Sequence, residues 1–216
     1  MDILLASGNA HKLSEMSAMF PEHRLLTPKD YGVSSFSPIE DAPSFHGNAL
    51  IKARALHETV RKLRELQGLQ TLVPPVLADD SGICVDALNG EPGIFSARYG
   101  EDGPTPPRND AERNALLLHK LASVTEPAKR TAHYVCAMVL LVSPERFVLA
   151  QETWQGQIVF APSAGTGGFG YDPIFFLPEQ GVTVAELSAE QKNKLSHRGK
   201  AAAHIALLLD AERAGE

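Results

Sequence analysis

Apolar residues recur along this chain with two different periods. Ile3–Ala6 is a short continuous apolar run, which predicts a β-strand, and it stops at Ser7-Gly8-Asn9. Leu13, Met16 and Phe20 then follow at helical spacing, with Asn9 as N-cap candidate and Gly8 suited to a tight turn. A second helix is predicted from Asn48 to about Leu66, with Leu50, Ala53, Leu56, Val60 and Leu63 inward, and a loop over Gln67–Pro75. Val76–Ala78 predicts a strand, Ile83–Ala87 and Ile94–Ala97 read as extended, Gly100–Pro107 as a loop and Arg108–Leu121 as a helix. Thr131–Val142 and Arg146–Glu152 are β-rich runs joined through Ser143-Pro144-Glu145, the pattern of a hairpin. Gly165–Pro173 is a glycine-rich loop, and His197–Arg213 is an amphipathic helix with Ala201, Ile205, Leu208 and Leu209 inward. Strands and helices mix without strict alternation, so the expected class is α/β with a mixed sheet.

Length and charge narrow this picture. With 216 residues the chain can bury one substantial core, as a single domain or as two lobes sharing a sheet. The net charge of −6 argues against broad nucleic-acid binding, which needs a basic face, but leaves room for one small polyphosphate held by a few focused cations. Cys84 and Cys136 lie far apart in apolar runs and read as reduced core thiols, the usage of a cytoplasmic protein. The N-terminus has no signal-peptide pattern, and no apolar stretch approaches the ~20 residues that span a bilayer.

Five segments carry chemistry beyond packing. The run Val76–Ala78 ends in Asp79-Asp80-Ser81-Gly82; adjacent carboxylates there ask for a cation, and a divalent metal at a catalytic centre competes with a plain turn. Ser7-Gly8-Asn9-Ala10-His11-Lys12 stands at a strand-to-helix junction, where free N–H groups favour an anion and Lys12 opposes the helix dipole unless a phosphate is near. Its alternative is a cap with a solvated lysine. Ile39–Asn48 holds Glu40 and Asp41 in a Pro-containing loop, readable as metal carboxylates or as solvated acids. Gly165–Pro173 matches G-x-G-x-x-G literally, but no strand precedes it and Pro173 bars a helix, so it reads as a loop presenting Phe169, Tyr171 and Asp172 to a flat ligand, or as a turn with core aromatics. Lys192–Gly199 puts His197 and Arg198 at a helix start, with Arg198 offering a fork suited to phosphate or a base carbonyl; solvated basic residues are the alternative. Trp154 and His133 read as packing. Zinc-protease, P-loop and serine-hydrolase motifs do not occur. Together the segments point to metal-assisted chemistry on a nucleoside triphosphate.

Ser7-Gly8-Asn9-x-x-Lys12, Asn48-Ala49-x-x-Lys52-Ala53, Ala78-Asp79-Asp80-Ser81-Gly82, Pro92-Gly93-Ile94-x-Ser96-Ala97-Arg98-Tyr99, Gly168-Phe169-Gly170-Tyr171-Asp172-Pro173 and Ser196-His197-Arg198 occur in one order. From about Ile3 to Leu208 the chain resembles the inosine triphosphate pyrophosphatase family, in its bacterial dITP/XTP type. The resemblance implies an elongated, two-lobed α/β fold with an active-site cleft between the lobes, a homodimer, and Mg²⁺-dependent hydrolysis of ITP, dITP and XTP to monophosphate and pyrophosphate. It implies Asp80 as general base and metal ligand, Glu40 as metal ligand, and Ser7, Gly8, Asn9, Ala10, His11 and Lys12 as the triphosphate turn. It further implies Ser81 beside the substrate, Phe169, Gly170, Tyr171 and Asp172 on the nucleoside, Lys192 as a substrate contact, and His197 and Arg198 as the base-reading pair. Asp79 supports Asp80. Arg198 and nearby N–H groups would favour the 6-oxo acceptor of hypoxanthine and xanthine over the donor of adenine.

Two features depart from the family pattern. The family usually has Phe-x-Glu-Asn-Ala where this chain has Phe45-His46-Gly47-Asn48-Ala49, and the segment Leu56–Pro75 is longer. Maf-type nucleotide pyrophosphatases and a non-catalytic nucleotide-binding module are the alternatives.

Overall fold

The computed structural model describes residues 1–70 and 72–214, with the side chains of Ala10, His11 and residues 210–214 outside the described set. In chain order the elements are β1 (Asp2–Leu5), α1 (Ala10–Met19), β2 (Arg24–Leu26), α2 (Phe45–Leu66), β3 (Val76–Val85) and α3 (Asp110–Lys120). They continue with β4 (Thr131–Ser143), β5 (Arg146–Ile158), β6 (Phe175–Leu177), β7 (Val182–Thr183), α4 (Ala189–Leu195) and α5 (His197–Ala214). The sheet runs β2-β1-β3-β4-β5-β6-β7. β1 is parallel to β2 and β3, whereas β6 is antiparallel to β5 and β7, so the sheet is mixed as expected. Among the described residues no helix is long and apolar enough to cross a membrane.

Two compact units share the chain. The first comprises residues 1–80, 136–152 and 198–216; the second comprises residues 81–135 and 153–197. In the first, successive strand residues serve opposite faces. Ile3, Leu5, Leu77, Cys136, Met138 and Leu140 pack with Met16 and Phe20 near α1 and with Ala201 and Ile205 of α5. Leu4, Ala6, Val76, Ala78, Val139 and Leu141 pack with Ala49, Ala53, Leu56 and Val60 of α2. The second unit has one core around Ile83, Val85, Leu117, Leu121, Tyr134, Trp154, Tyr171 and Phe175.

Several expectations need correction. β3 does not end at Ala78 but continues through Asp79-Asp80-Ser81-Gly82 to Val85, so the acidic pair is neither a turn nor a strand end. Its carboxylates are tolerated there because cations from the flanking helices meet them. Ile94–Ala97 is not extended: Gly93–Arg98 is a 3-10 helix, in which Ser96 Oγ donates to Gly93 O at 2.6 Å and accepts the Ile83 N–H at 2.9 Å. Residues 86–88 likewise leave the strand as a 3-10 turn. Leu208 faces outward, 43% exposed, while Ile205 and Leu209 are buried. β2 and α4 escape pattern reading because each is short. The long second helix begins at Phe45 rather than Asn48, behind the Ser44 cap.

In the second unit, Arg130 is 2% exposed and has four carbonyl partners. Its Nε donates to Ile158 O, Nη1 to Leu121 O and Val124 O, and Nη2 to Val159 O, at 2.8–3.1 Å. This ties the end of α3 to the end of β5. Arg130→Leu strips those buried carbonyls of their donor and is expected to lower unfolding free energy by about 3 kcal/mol. Urea denaturation measures it; a loss under about 1 kcal/mol would contradict this role.

Candidate active site

The parity of β3 decides where the two carboxylates go. Asp79 follows Leu77 onto the face covered by α1 and α5, and Asp80 follows Ala78 onto the face covered by α2. Lys12, in the first turn of α1, places Nζ 2.9 and 3.0 Å from the two Asp79 oxygens. Arg198, in the first turn of α5, donates to Asp79 Oδ2 through Nε at 3.3 Å and Nη2 at 3.2 Å, and to Glu15 Oε2 through Nη1 at 2.7 Å. Burial would raise the Asp79 carboxyl, but Lys12 and Arg198 outweigh it and hold it well below the usual carboxylate range. Asp79 is therefore a permanent anion whose work is to hold cations. The turn before α1 is built as its residues suggest: Asn9 Oδ1 accepts the Lys12 N–H at 3.3 Å, and Ser7 Oγ accepts the Asn9 N–H at 3.1 Å.

Asp80 meets different partners. Asn48 Nδ2 donates to its Oδ2 at 3.2 Å, and Lys52 Nζ donates to its Oδ1 at 3.2 Å. The same Lys52 Nζ reaches Glu40 Oε2 at 2.9 Å. Burial raises the Asp80 carboxyl above its ordinary value, against the pull of Lys52 and Asn48. Burial would lower the Lys52 ammonium, yet Asp80, Asp79 and Glu40 outweigh it and keep it charged. A carboxylate raised in this way is suited to accept a proton. Two carboxylates converging on one cation also make a hard oxygen donor pair of the kind a divalent cation takes. Among the described residues no group of three or more His, Cys, Asp or Glu gathers into a ligand set.

In the second unit, Asp172 organises the glycine-rich loop. Its Oδ2 accepts from Lys192 Nζ and from Phe169 N–H, both at 2.8 Å, and its Oδ1 accepts from Tyr134 O–H at 3.2 Å. The Lys192 ammonium lies 4.4 Å from the centre of the Phe169 ring. Gly170, at φ +64°, is held at both ends of its backbone: N–H to Asp110 Oδ2 at 2.8 Å and C=O from Asn114 Nδ2 at 3.0 Å. Tyr171 O–H donates to Ser96 O at 2.8 Å. His197 stacks flat on Tyr134, with ring centres 4.7 Å apart. No α-helix opens within the loop, only a short 3-10 turn over Asp172–Ile174, so the dinucleotide fingerprint is absent in substance.

The sequence-derived residues thus fall into named groups. Ser7, Gly8, Asn9 and Lys12 share the β1–α1 turn, Glu40 and Asp80 share Lys52, and Phe169, Gly170, Tyr171, Asp172 and Lys192 share one cluster. Ser81 follows Asp80 in β3, half-buried, and the side chains of Ala10 and His11 lie outside the described residues. Asn48, Lys52, Glu15, Asp110, Asn114 and Tyr134 received no role from sequence. Asn48 and Lys52 had a signal, being four apart and polar on the apolar face of a helix; the others had none.

The fold and these groups define an α/β protein with a buried carboxylate–cation centre in its first unit and an aromatic–lysine cluster in its second. The chain belongs to the Ham1 family, whose model matches residues 3–207. It is 47% identical over 201 residues to a dITP/XTP pyrophosphatase of Treponema denticola, covering 93% of this chain and 94% of that protein. It is 45% identical over 215 residues to a dITP/XTP pyrophosphatase of Nitrosomonas europaea, covering 96% and 93%. The solved structure of a HAM1 protein from Coxiella burnetii superposes with a TM-score of 0.79 at 33% identity, covering 98% of this chain and 99% of that one.

Asp79→Asn removes the negative charge from between Lys12 and Arg198. It is expected to destabilise the fold by about 3 kcal/mol or more, read by chemical denaturation. A loss under about 1 kcal/mol would remove Asp79 from its place as the charge centre.

Proposed function

We propose that this chain hydrolyses deaminated purine nucleoside triphosphates (dITP, ITP and XTP) to the nucleoside monophosphate and pyrophosphate. The observation that carries the reading is Asp80: a buried carboxylate with a raised pKa, oriented by Asn48 and sharing Lys52 with Glu40. Membership of the Ham1 family, with relatives named dITP/XTP pyrophosphatases, supports the substrate class.

In this mechanism Asp80 takes the proton of a water that attacks the α-phosphorus in line. Asn48 occupies Asp80 Oδ2 and so fixes the carboxylate plane. Glu40 and Asp80 are the residues that would hold Mg²⁺, which when bound screens phosphate charge. The β1–α1 turn with Lys12 receives the phosphates at a helix N-terminus. Lys12 and Lys52 meet the charge that develops on the pyrophosphate. The Phe169 ring and the pinned loop through Asp172 receive the nucleoside, with Lys192 at hand. His197, fixed on Tyr134, and Arg198, fixed by Asp79 and Glu15, are assigned to the base. Their rigidity suits recognition of the 6-oxo acceptor, since a preorganised donor loses little on binding. The homodimer and the cytoplasmic setting belong to this reading on family likeness, as does treating the two units as lobes of one domain.

Pyrophosphate release with Mg²⁺ from ITP, XTP, dITP, GTP, ATP, dUTP and TTP tests the substrate class. The expected outcome is a kcat/KM for dITP and XTP roughly 10²-fold or more above that for ATP. Equal turnover of all, or preference for pyrimidines, would overturn it. Asp80→Asn is expected to lower kcat by roughly 10²–10⁴ with an unchanged circular dichroism spectrum. Turnover within a few-fold of wild type would remove Asp80 from the base role.

A further inference from the structure

Ser44 caps α2, its Oγ accepting the Gly47 N–H at 3.3 Å. Three positions after a Ser cap, helices favour Glu or Gln, whose side chain reaches back to the cap. This chain has glycine there, a weak helix former. Its surroundings supply a reason. A Cβ on Gly47 would stand 2.6 Å from Ala42 Cβ and 3.0 Å from Ser44 Oγ, whereas carbon–carbon contacts settle at about 3.5–4.0 Å. The segment that follows Glu40 therefore packs on bare helix backbone.

That close approach is linked to the acidic pair. Ala42 N–H donates to Asn48 Oδ1 at 3.0 Å, and the same amide donates through Nδ2 to Asp80 Oδ2 at 3.2 Å. Asn48 is fully buried. Two residues before Ala42, Glu40 shares Lys52 with Asp80. From this geometry we infer that Gly47 is a positioning residue: its missing side chain lets Ala42 dock on α2, and the docking gathers Glu40 and Asp80 through Asn48 and Lys52. A Cβ at position 47 drives Ala42 back by about 1 Å, breaks its bond to Asn48 and withdraws Glu40. Misplacement on that scale can cost roughly 10²-fold in rate. Glutamate at 47, which capping rules and the family pattern both favour, thus harms this site.

The test uses Gly47→Ala, Gly47→Glu and the double variant Gly47→Ala/Ala42→Gly in the full chain. Hydrogen exchange of the Ala42 amide is followed by NMR without metal, and kcat, KM for dITP and the Mg²⁺ half-saturation are measured alongside. Both single variants are expected to exchange Ala42 at least about tenfold faster. Their kcat falls about tenfold or more and their Mg²⁺ requirement rises, while KM for dITP stays within about twofold. The double variant regains most of both losses, because the colliding Cβ of Ala42 is gone; the approach to Ser44 Oγ remains, so recovery is partial. Gly47→Ala with wild-type exchange and turnover overturns the inference, as does a double variant no better than the single one. The activity arm rests on the pyrophosphatase reading. A wild-type chain that releases no pyrophosphate defeats that reading, and the exchange arm then decides the packing claim alone.

Discussion

Two adjacent carboxylates in the middle of a buried strand constrain everything else in this chain. Each must be met by positive charge, and the pleat of β3 sends them to opposite faces. One face offers α1 and α5, the other α2. Lys12 and Arg198, in the first turns of α1 and α5, and Lys52 of α2 place their donors 2.9–3.2 Å from the two carboxylates. The helices are therefore fixed by charge as well as by their apolar stripes, and a site requirement becomes a folding requirement.

The same constraint makes the two acids unequal. Asp79 is flanked by two cations and held strongly ionised, while Asp80 has an amide and a shared lysine and is raised by burial. A proton acceptor must be able to take a proton up, which a carboxylate held strongly ionised does poorly, so Asp80 has the better environment for that role. Lys52 links it to Glu40, and Asn48 links it to the backbone of Ala42. In the second unit the logic is similar. Asp172 gathers Lys192, Phe169 and Tyr134, and α3 pins Gly170 from both sides, so that a glycine loop is held in one shape.

Much of this was legible in the sequence, and the failures are informative. The long helices, the β4–β5 hairpin and the class of fold followed from periodicity, which is a local signal. Asp79-Asp80 stood out as chemistry, yet local rules stopped the strand there, because Asp, Ser and Gly favour turns. The cations that permit the strand lie 67 and 119 residues away for Asp79 and 28 away for Asp80, beyond any local window. Arg198 shows the same limit: a free fork was expected, whereas three of its donors already serve Asp79 and Glu15. Gly47 registered only as a missing acid. Its meaning required knowing that Ala42 occupies the space a side chain would need.

The central claim is that the site directs water onto the α-phosphorus. Hydrolysis of dITP in ¹⁸O-enriched water, with products separated and weighed by mass spectrometry, tests it most directly. The account predicts one ¹⁸O atom in the nucleoside monophosphate and none in the pyrophosphate. Label in the pyrophosphate, or release of inorganic phosphate in its place, would contradict it.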